Sequence, residues 1–342
     1  MDKIIPLEKI GFGVENETNR PTGIEGRIGA YHRGVACRQS PSFNRKKWKA
    51  ERDNSIRVSQ SGFTQCEYVS PILRGEKGLQ NVKKMFEWIS ESGHRVNNSC
   101  GLHMTFGVQD ICGTEDPKEI APFLATLGKY AINMQDGLYA QTGARRDCHG
   151  YASRFNSSLE YSCSTTREIK KLLSLEAPTA SDIQSLGWRC ERHKAINFNK
   201  VGYGTTSSSV FEFRWGAGTT NYRKVLLHLA SCMFLIRLAW KNRHHSNDRV
   251  GLRRDKRIHR DATTSGVKTF KDLLTKWKMS KCGHGLLDES ETLREHWNEM
   301  VDLGFRMATK YDERFSAMTT SGRDSARYNQ VGLSTAQQLQ IT

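Results

Sequence analysis

The sequence Gly13-Val14-Glu15-Asn16-Glu17 lies in a strand predicted over residues 9–17. Side chains alternate between the two faces of a strand, so Glu15 and Glu17 share one face and Val14 takes the other. Two neighbouring carboxylates repel each other unless a cation lies between them, and Mg²⁺ or Mn²⁺ prefers oxygen ligands. The stretch therefore indicates either a metal site on a sheet or a pair of solvated surface glutamates.

Two further predicted strands carry polar side chains among apolar ones. Glu67 lies between Cys66 and Tyr68 in a strand predicted over residues 65–71. His103 lies in the next predicted strand, over residues 101–108, and faces away from its apolar neighbours. Both strands repeat the pattern of the first acidic strand.

A fourth strand, predicted over residues 209–215, has the clearest apolar face, formed by its aromatic residues. Glu212 and Arg214 project together from its other face. A Glu–Arg pair at this spacing is also typical of a surface ion pair. Because four strands each present Glu or His opposite an apolar face, the sequence predicts one sheet with an acidic, metal-binding concavity.

The remaining pattern predicts an α+β fold. All seven prolines lie at or before Pro178, which favours a helix-rich second half. A further strand is predicted over residues 195–200, and there is no βαβ regularity, so the sheet is expected to be mostly antiparallel. Apolar periodicity predicts helices over residues 77–93, 116–140, 165–176, 222–241, 267–280 and 289–310.

Length and charge limit the classes of protein that fit. The 342 residues suit one large domain or two modest ones, and 37% hydrophobic residues exclude a disordered chain. Net charge is +16, which favours an anionic partner. The N-terminal sequence does not resemble a signal peptide, and no run is apolar enough for a membrane span. The nine scattered cysteines fit free thiols, so we expect a cytoplasmic protein.

Several short motifs occur in a fixed order along the chain. They are Gly13 to Glu17, Asp53-Asn54-Ser55-Ile56, Glu67 to Pro71, Cys100-Gly101-Leu102-His103, Ala195-Ile196-Asn197 and Phe211-Glu212-Phe213-Arg214. In this order and spacing the chain resembles the amidoligases, which are distant relatives of glutamine synthetase and the glutamate–cysteine ligases. The resemblance runs through most of residues 11–240.

The resemblance implies a domain organisation. Residues 1–240 would form the catalytic domain, a glutamine synthetase-like curved antiparallel sheet with helices on its convex face. The resemblance does not cover the rest of the chain. There the sequence pattern predicts a basic loop and a helical extension over residues 241–318, and a polar, loosely ordered tail over residues 319–342.

The resemblance also implies a set of metal ligands. Glu17 and Glu67 would bind one divalent metal, Mg²⁺ or Mn²⁺. Glu15, His103 and Glu212 would bind a metal nearer the phosphates of ATP. Relatives commonly carry a second histidine two residues after the first, where this chain has Thr105.

Other positions in the pattern imply catalytic and binding roles. Arg214 would bind the substrate carboxylate or stabilise the transferring phosphoryl group, and Asp53 would act with Ser55 on the substrate amine. Asp53 and Ser55 are equally typical of a turn or a helix cap. Asn197 would hydrogen-bond in the site or serve only as a polar strand residue.

The basic pair Arg145 and Arg146 follows a helix in a Gly-rich loop. The pair would reach the phosphates of ATP, or would lie in a solvated basic loop.

The implied reaction is ATP-dependent ligation of a carboxylate to an amine through an acyl phosphate. A nucleic-acid-binding protein is one alternative, because residues 237–281 hold 14 Lys and Arg and four Asp and Glu, which is +10 of the total +16. A metal hydrolase that needs no ATP is another. A ligase whose substrate is anionic, such as a modified nucleic acid or an acidic protein, would use both the acidic strands and the basic segment.

Overall fold

The structure is a computed structural model that describes residues 4–58, 60–144, 152–155, 164–202, 209–244 and 265–320. Arg145 and Arg146 lie outside the described residues, as do most of the basic loop after residue 244 and the tail after residue 320.

One eight-stranded sheet forms the centre of the fold. Its pairings are antiparallel, in the order β2-β5-β6-β1-β8-β10-β9, with β7 paired to the start of β1. A small separate hairpin pairs β3 with β4. The strands are β1 (Gly11–Pro21), β2 (Val35–Ala36), β3 (Ser42–Phe43), β4 (Lys46–Lys47), β5 (Lys49–Glu51), β6 (Phe63–Val69), β7 (Leu73–Arg74), β8 (Gly101–Gly107), β9 (Ile196–Asn197) and β10 (Val210–Ala217).

The helices begin at residues that suit helix ends. Asp116 accepts a hydrogen bond from the Lys118 amide, and Pro117 follows it at the first helical position. Thr179 and Asp182 form a reciprocal capping box. The helices are α1 (Gly75–Glu91), α2 (Val108–Cys112), α3 (Pro117–Ala140), α4 (Ser164–Ser174), α5 (Ala180–Arg189), α6 (Tyr222–Lys241), α7 (Gly266–Met279), α8 (Lys281–Glu289) and α9 (Glu291–Thr320).

The apolar face of the sheet packs against the helices. Val14, Met104 and Phe213 lie on this face, and each is at most 2% exposed. They join one hydrophobic core with residues of α1, α3 and α6. The opposite face carries the polar side chains, so the predicted α+β class with a mostly antiparallel sheet is confirmed.

The last helices continue the same core. Phe270 and Trp277 of α7 are buried, and Trp277 packs against Phe234 of α6. Arg237 is fully buried and donates to Glu289 at 2.7 Å, so it is not part of a basic surface. The predicted division near residue 240 stays a prediction. Within the described residues, no helix is both long and apolar enough to cross a membrane.

Some elements differ from the sequence prediction. Strand β1 continues to Pro21, because its second half pairs with β6. Strand β9 has two residues instead of six; just after it, the Asn199 side chain donates to the carbonyl groups of Gly187 and Cys190 at the end of α5. Helix α9 runs to Thr320, and α5 and α8 were not predicted.

Candidate active site

Strand register brings the acidic residues together on one face. Glu17 of β1 lies opposite Glu67 of β6, and Glu15 lies opposite His103 of β8. Glu212 of β10 lies opposite Thr105, two residues along β8 from His103 and so on the same face. The five predicted metal ligands therefore share one surface.

His103 lies at the centre of two overlapping groups of ligand atoms. Its Nδ1 atom is 3.3 Å from Glu212 Oε1 and 3.7 Å from Glu15 Oε2, and its Nε2 atom is 4.0 Å from Glu17 Oε1. One group is Glu15, His103 and Glu212, and the other is Glu17, Glu67 and His103. Within each group the ligand atoms lie within 4.8 Å of one another.

The electrostatics of the two groups differ. Burial, followed by the neighbouring Glu15 and Glu17, raises the pKa of Glu67 from 4.5 to about 9. Burial also acts to raise the pKa of Glu212, but the charges of His103 and Arg214 outweigh it and hold that pKa at about 2. Without a cation, the repulsion on the Glu17 and Glu67 side is therefore relieved by a proton on Glu67 below about pH 9, whereas Glu212 stays ionised.

The residues present fit a divalent cation. Two atoms bound to one Mg²⁺ at about 2.1 Å lie about 3 to 4 Å apart, close to the separations measured around His103. His103 Nε2 is buried and has no hydrogen-bond partner among the described residues. A carboxylate-rich set with one imidazole suits Mg²⁺ or Mn²⁺.

Arg214 and Asn197 both bind Glu212. Arg214 Nη1 donates to Glu212 Oε1 at 2.8 Å, and Asn197 Nδ2 donates to Glu212 Oε2 at 2.9 Å. All three side chains are buried, so this is not a solvated surface ion pair. The carboxylate of Glu212 is held in one orientation from two sides.

Asp53 and Ser55 lie in the loop between β5 and β6. The Ser55 amide donates to Asp53 Oδ1 at 2.7 Å, which is the turn that the sequence pattern allowed. Both residues also line the cavity that contains the two ligand groups. The turn and the functional interpretation are therefore compatible.

That cavity has a volume of about 540 Å³, and further residues that the sequence analysis missed line it. Lys49 and Glu51 come from β5, and Tyr31 and His32 from the loop before β2. On the opposite side, Arg192, His193 and Lys200 flank β9. Burial and then the charges of Arg214 and Arg192 lower the pKa of His193.

Comparison with known proteins agrees with the motif pattern. Residues 11–236 match the model of a family described as "Putative amidoligase enzyme". A search of curated proteins found no match.

Three solved structures of ligase type also resemble the chain. A bifunctional glutathione synthetase from Pasteurella multocida has 10% identity and a TM-score of 0.39, with 98% of this chain and 52% of that protein covered. A novel glutamine synthase homolog has 10% identity and a TM-score of 0.34, with 94% of this chain and 69% of that protein covered. The complex of the prokaryotic ubiquitin-like protein Pup with its ligase PafA has 11% identity and a TM-score of 0.33, with 98% and 73% covered. The chain thus spans about half the length of the glutathione synthetase, and likenesses this distant carry no argument about its reaction.

Proposed function

Because this chain belongs to the amidoligase family, we propose that it joins a carboxylate to an amine in an ATP-dependent reaction through an acyl phosphate. The observation that carries the proposal is the pair of ligand groups around His103, with Arg214 beside them in one cavity. A hydrolase could use the same two cation positions to activate water, so dependence on ATP is what separates the two reactions. Two adjacent cation positions beside an arginine suit the transfer of a phosphoryl group.

The chain's own residues would act mainly by position and charge. A carboxylate is a poor electrophile, and its phosphorylation gives an acyl carbon that an amine can attack. Arg214 is held by Glu212 and would bind the carboxylate or the transferring phosphoryl group through its forked guanidinium. Asp53 and Ser55 would contact the amine, and Asn197 would keep Glu212 oriented.

The same residues would hold the metal ions. Glu15, His103 and Glu212 would bind one Mg²⁺ or Mn²⁺, and Glu17 and Glu67 another. When bound, these ions would neutralise phosphate charge and polarise phosphoryl oxygens.

The catalytic unit in this proposal is residues 1–240, in a cytoplasmic protein. The basic segment at the start of the extension over residues 241–318 would contact an anionic substrate, such as a nucleic acid or an acidic protein, and residues 319–342 would form a polar tail. Nucleic-acid binding as the sole function is less well supported, because Arg237, Phe270 and Trp277 of the basic segment are buried in the core.

The reaction can be tested without knowing the natural amine. The full chain is incubated with ATP, MgCl₂, hydroxylamine as a general nucleophile, and a panel of amino acids, dicarboxylates and acidic peptides. We expect ADP, phosphate and a hydroxamate in equal amounts with the correct carboxylate. Glu212→Gln should lower the rate at least about 100-fold.

The matched control is Glu91→Gln, which makes the same chemical change at an exposed residue at the end of α1. Its rate should equal that of the wild type. Bond cleavage without nucleotide would favour the hydrolase alternative, and the absence of ADP with every carboxylate would contradict the ligase proposal.

A further inference from the structure

The cavity carries opposite charges at its two ends. The sheet order places β5 and β9 five strands apart, which is about 24 Å at the usual strand spacing. Arg192 and Lys200 flank β9, line the cavity and are exposed, and no carboxylate among the described residues pairs with either of them. At the other end, the acidic residue of β5 is Glu51.

Glu51 extends the row of carboxylates across the sheet. It lies opposite Glu67, which in turn lies opposite Glu17. Its side chain is 7% exposed. Oε1 accepts a hydrogen bond from the His32 amide at 3.2 Å, and the exposed His32 imidazole places Nδ1 3.8 Å from the same oxygen. Burial of such a charge is costly unless a positive group approaches it.

Glu51 stands apart from the two metal-ligand groups. Among the described residues, it belongs to neither group whose ligand atoms lie within 4.8 Å of one another. Glu51 and Asp53 together outnumber Lys49, the lysine of β5 at the same end of the cavity.

An aromatic surface lies at the same end. The rings of Tyr31 and His32 have centroids 3.7 Å apart, and both residues line the cavity. Tyr31 is 47% exposed. A carboxylate together with the face of an aromatic ring is a combination that recognises an alkylammonium group.

We propose that the β5 end of the cavity binds the amine substrate as a primary alkylammonium, with Glu51 as its counter-charge and Tyr31 as its aromatic contact. This rests on the proposed function, since only a ligase reaction calls for an amine. The β9 end, with Arg192 and Lys200, takes the anionic reactant. The metal groups would then lie between the amine and this anionic reactant.

The test measures equilibrium binding, so it does not depend on turnover. Propylammonium chloride and tripolyphosphate serve as probes, and calorimetry is done with saturating MgCl₂ so that ammonium does not occupy the metal positions. Glu51→Gln should weaken propylammonium binding about tenfold, the usual effect of losing a charge-assisted contact, and leave tripolyphosphate binding unchanged. Arg192→Gln should weaken tripolyphosphate binding and leave propylammonium binding unchanged.

Glutamine at position 51 keeps the oxygen that accepts from the His32 amide, so the fold should be preserved. Thermal unfolding checks this, with Glu91→Gln as the control. Equal propylammonium binding by wild type and Glu51→Gln, or no binding by the wild type, would overturn the inference. If Glu51→Gln bound neither propylammonium nor tripolyphosphate, the inference would also be overturned. If Glu51→Gln lost only propylammonium binding but the wild type formed no hydroxamate in the ligase assay, the cation site would be supported and only the ligase reaction refuted.

Discussion

Replacing Glu67 with Gln should make the metal-free protein more stable. Burial, followed by Glu15 and Glu17, raises the pKa of Glu67 from 4.5 to about 9. Between these values the folded protein holds a proton that the unfolded chain releases. The free energy of unfolding of the metal-free protein therefore falls as pH rises through this window, and it is unaffected by Glu67 below pH 4.5.

The size of the effect follows from the distance between the working pH and the ordinary pKa. At about 1.4 kcal/mol per pH unit, Glu67 costs the metal-free protein about 3 kcal/mol at pH 7 and less than about 1 kcal/mol at pH 5. Glutamine does not ionise, so the Gln variant avoids this cost. For a chain of 342 residues, 3 kcal/mol corresponds to a rise in Tm of about 4 °C.

The assay is thermal unfolding in EDTA and in MnCl₂ at pH 5 and pH 7. In EDTA, Glu67→Gln should melt higher than wild type at pH 7 and nearly equally at pH 5. Mn²⁺ should raise the Tm of the wild type and of Glu91→Gln, but raise that of Glu67→Gln much less. A Gln variant that is less stable in EDTA, or that Mn²⁺ stabilises as much as wild type, would refute the reasoning.

Three further predictions concern the framework around the site. Burial lowers the pKa of His94 from 6.5 to about 4, so the free energy of unfolding should fall as pH drops below 6.5, by about 2 kcal/mol at pH 5. Urea unfolding of His94→Asn should show a smaller fall between pH 7 and pH 5 than the wild type does. In Gly216→Ala the new Cβ would lie 2.5 Å from the Leu102 carbonyl oxygen, so urea unfolding should show a loss of about 1–3 kcal/mol; unchanged stability would contradict this packing. Glu76 accepts hydrogen bonds from the first turn of α9, including the Thr292 amide at 3.0 Å. Glu76→Ala should therefore lower the free energy of unfolding by about 1 kcal/mol, measured as a lower urea midpoint with an unchanged m value. Equal midpoints would show that α9 is held by packing alone.

The shared face of the site could be predicted from the sequence because it depends on local alternation. A period of two places Glu15 and Glu17 on one side of β1 whatever the rest of the chain does. Which residue lies opposite each of them depends on register, as in the pairing of Glu17 with Glu67 and of Glu15 with His103. Register arises from contacts between distant strands, so alternation alone did not specify it.

Other parts of the site left a weaker local signal. Glu51 lies in a strand of three residues, which is too short for a clear alternation pattern. In retrospect its spacing of two from Lys49 and from Asp53 was the available clue. Arg192 and Lys200 lie outside β9 itself, so no strand pattern pointed to them.

Thr105 explains how the site is built with one histidine. It lies opposite Glu212, so a second imidazole at this position would stand beside that carboxylate. Here Glu212 is instead fixed by Arg214 and Asn197, at 2.8 and 2.9 Å. A bulge between Phe213 and Gly216 shifts the register of β10 just after Glu212, in the stretch that contains Arg214. The hydrogen bonds that hold Glu212 therefore come from its own strand and from β9, and His103 is the residue that the two ligand groups share.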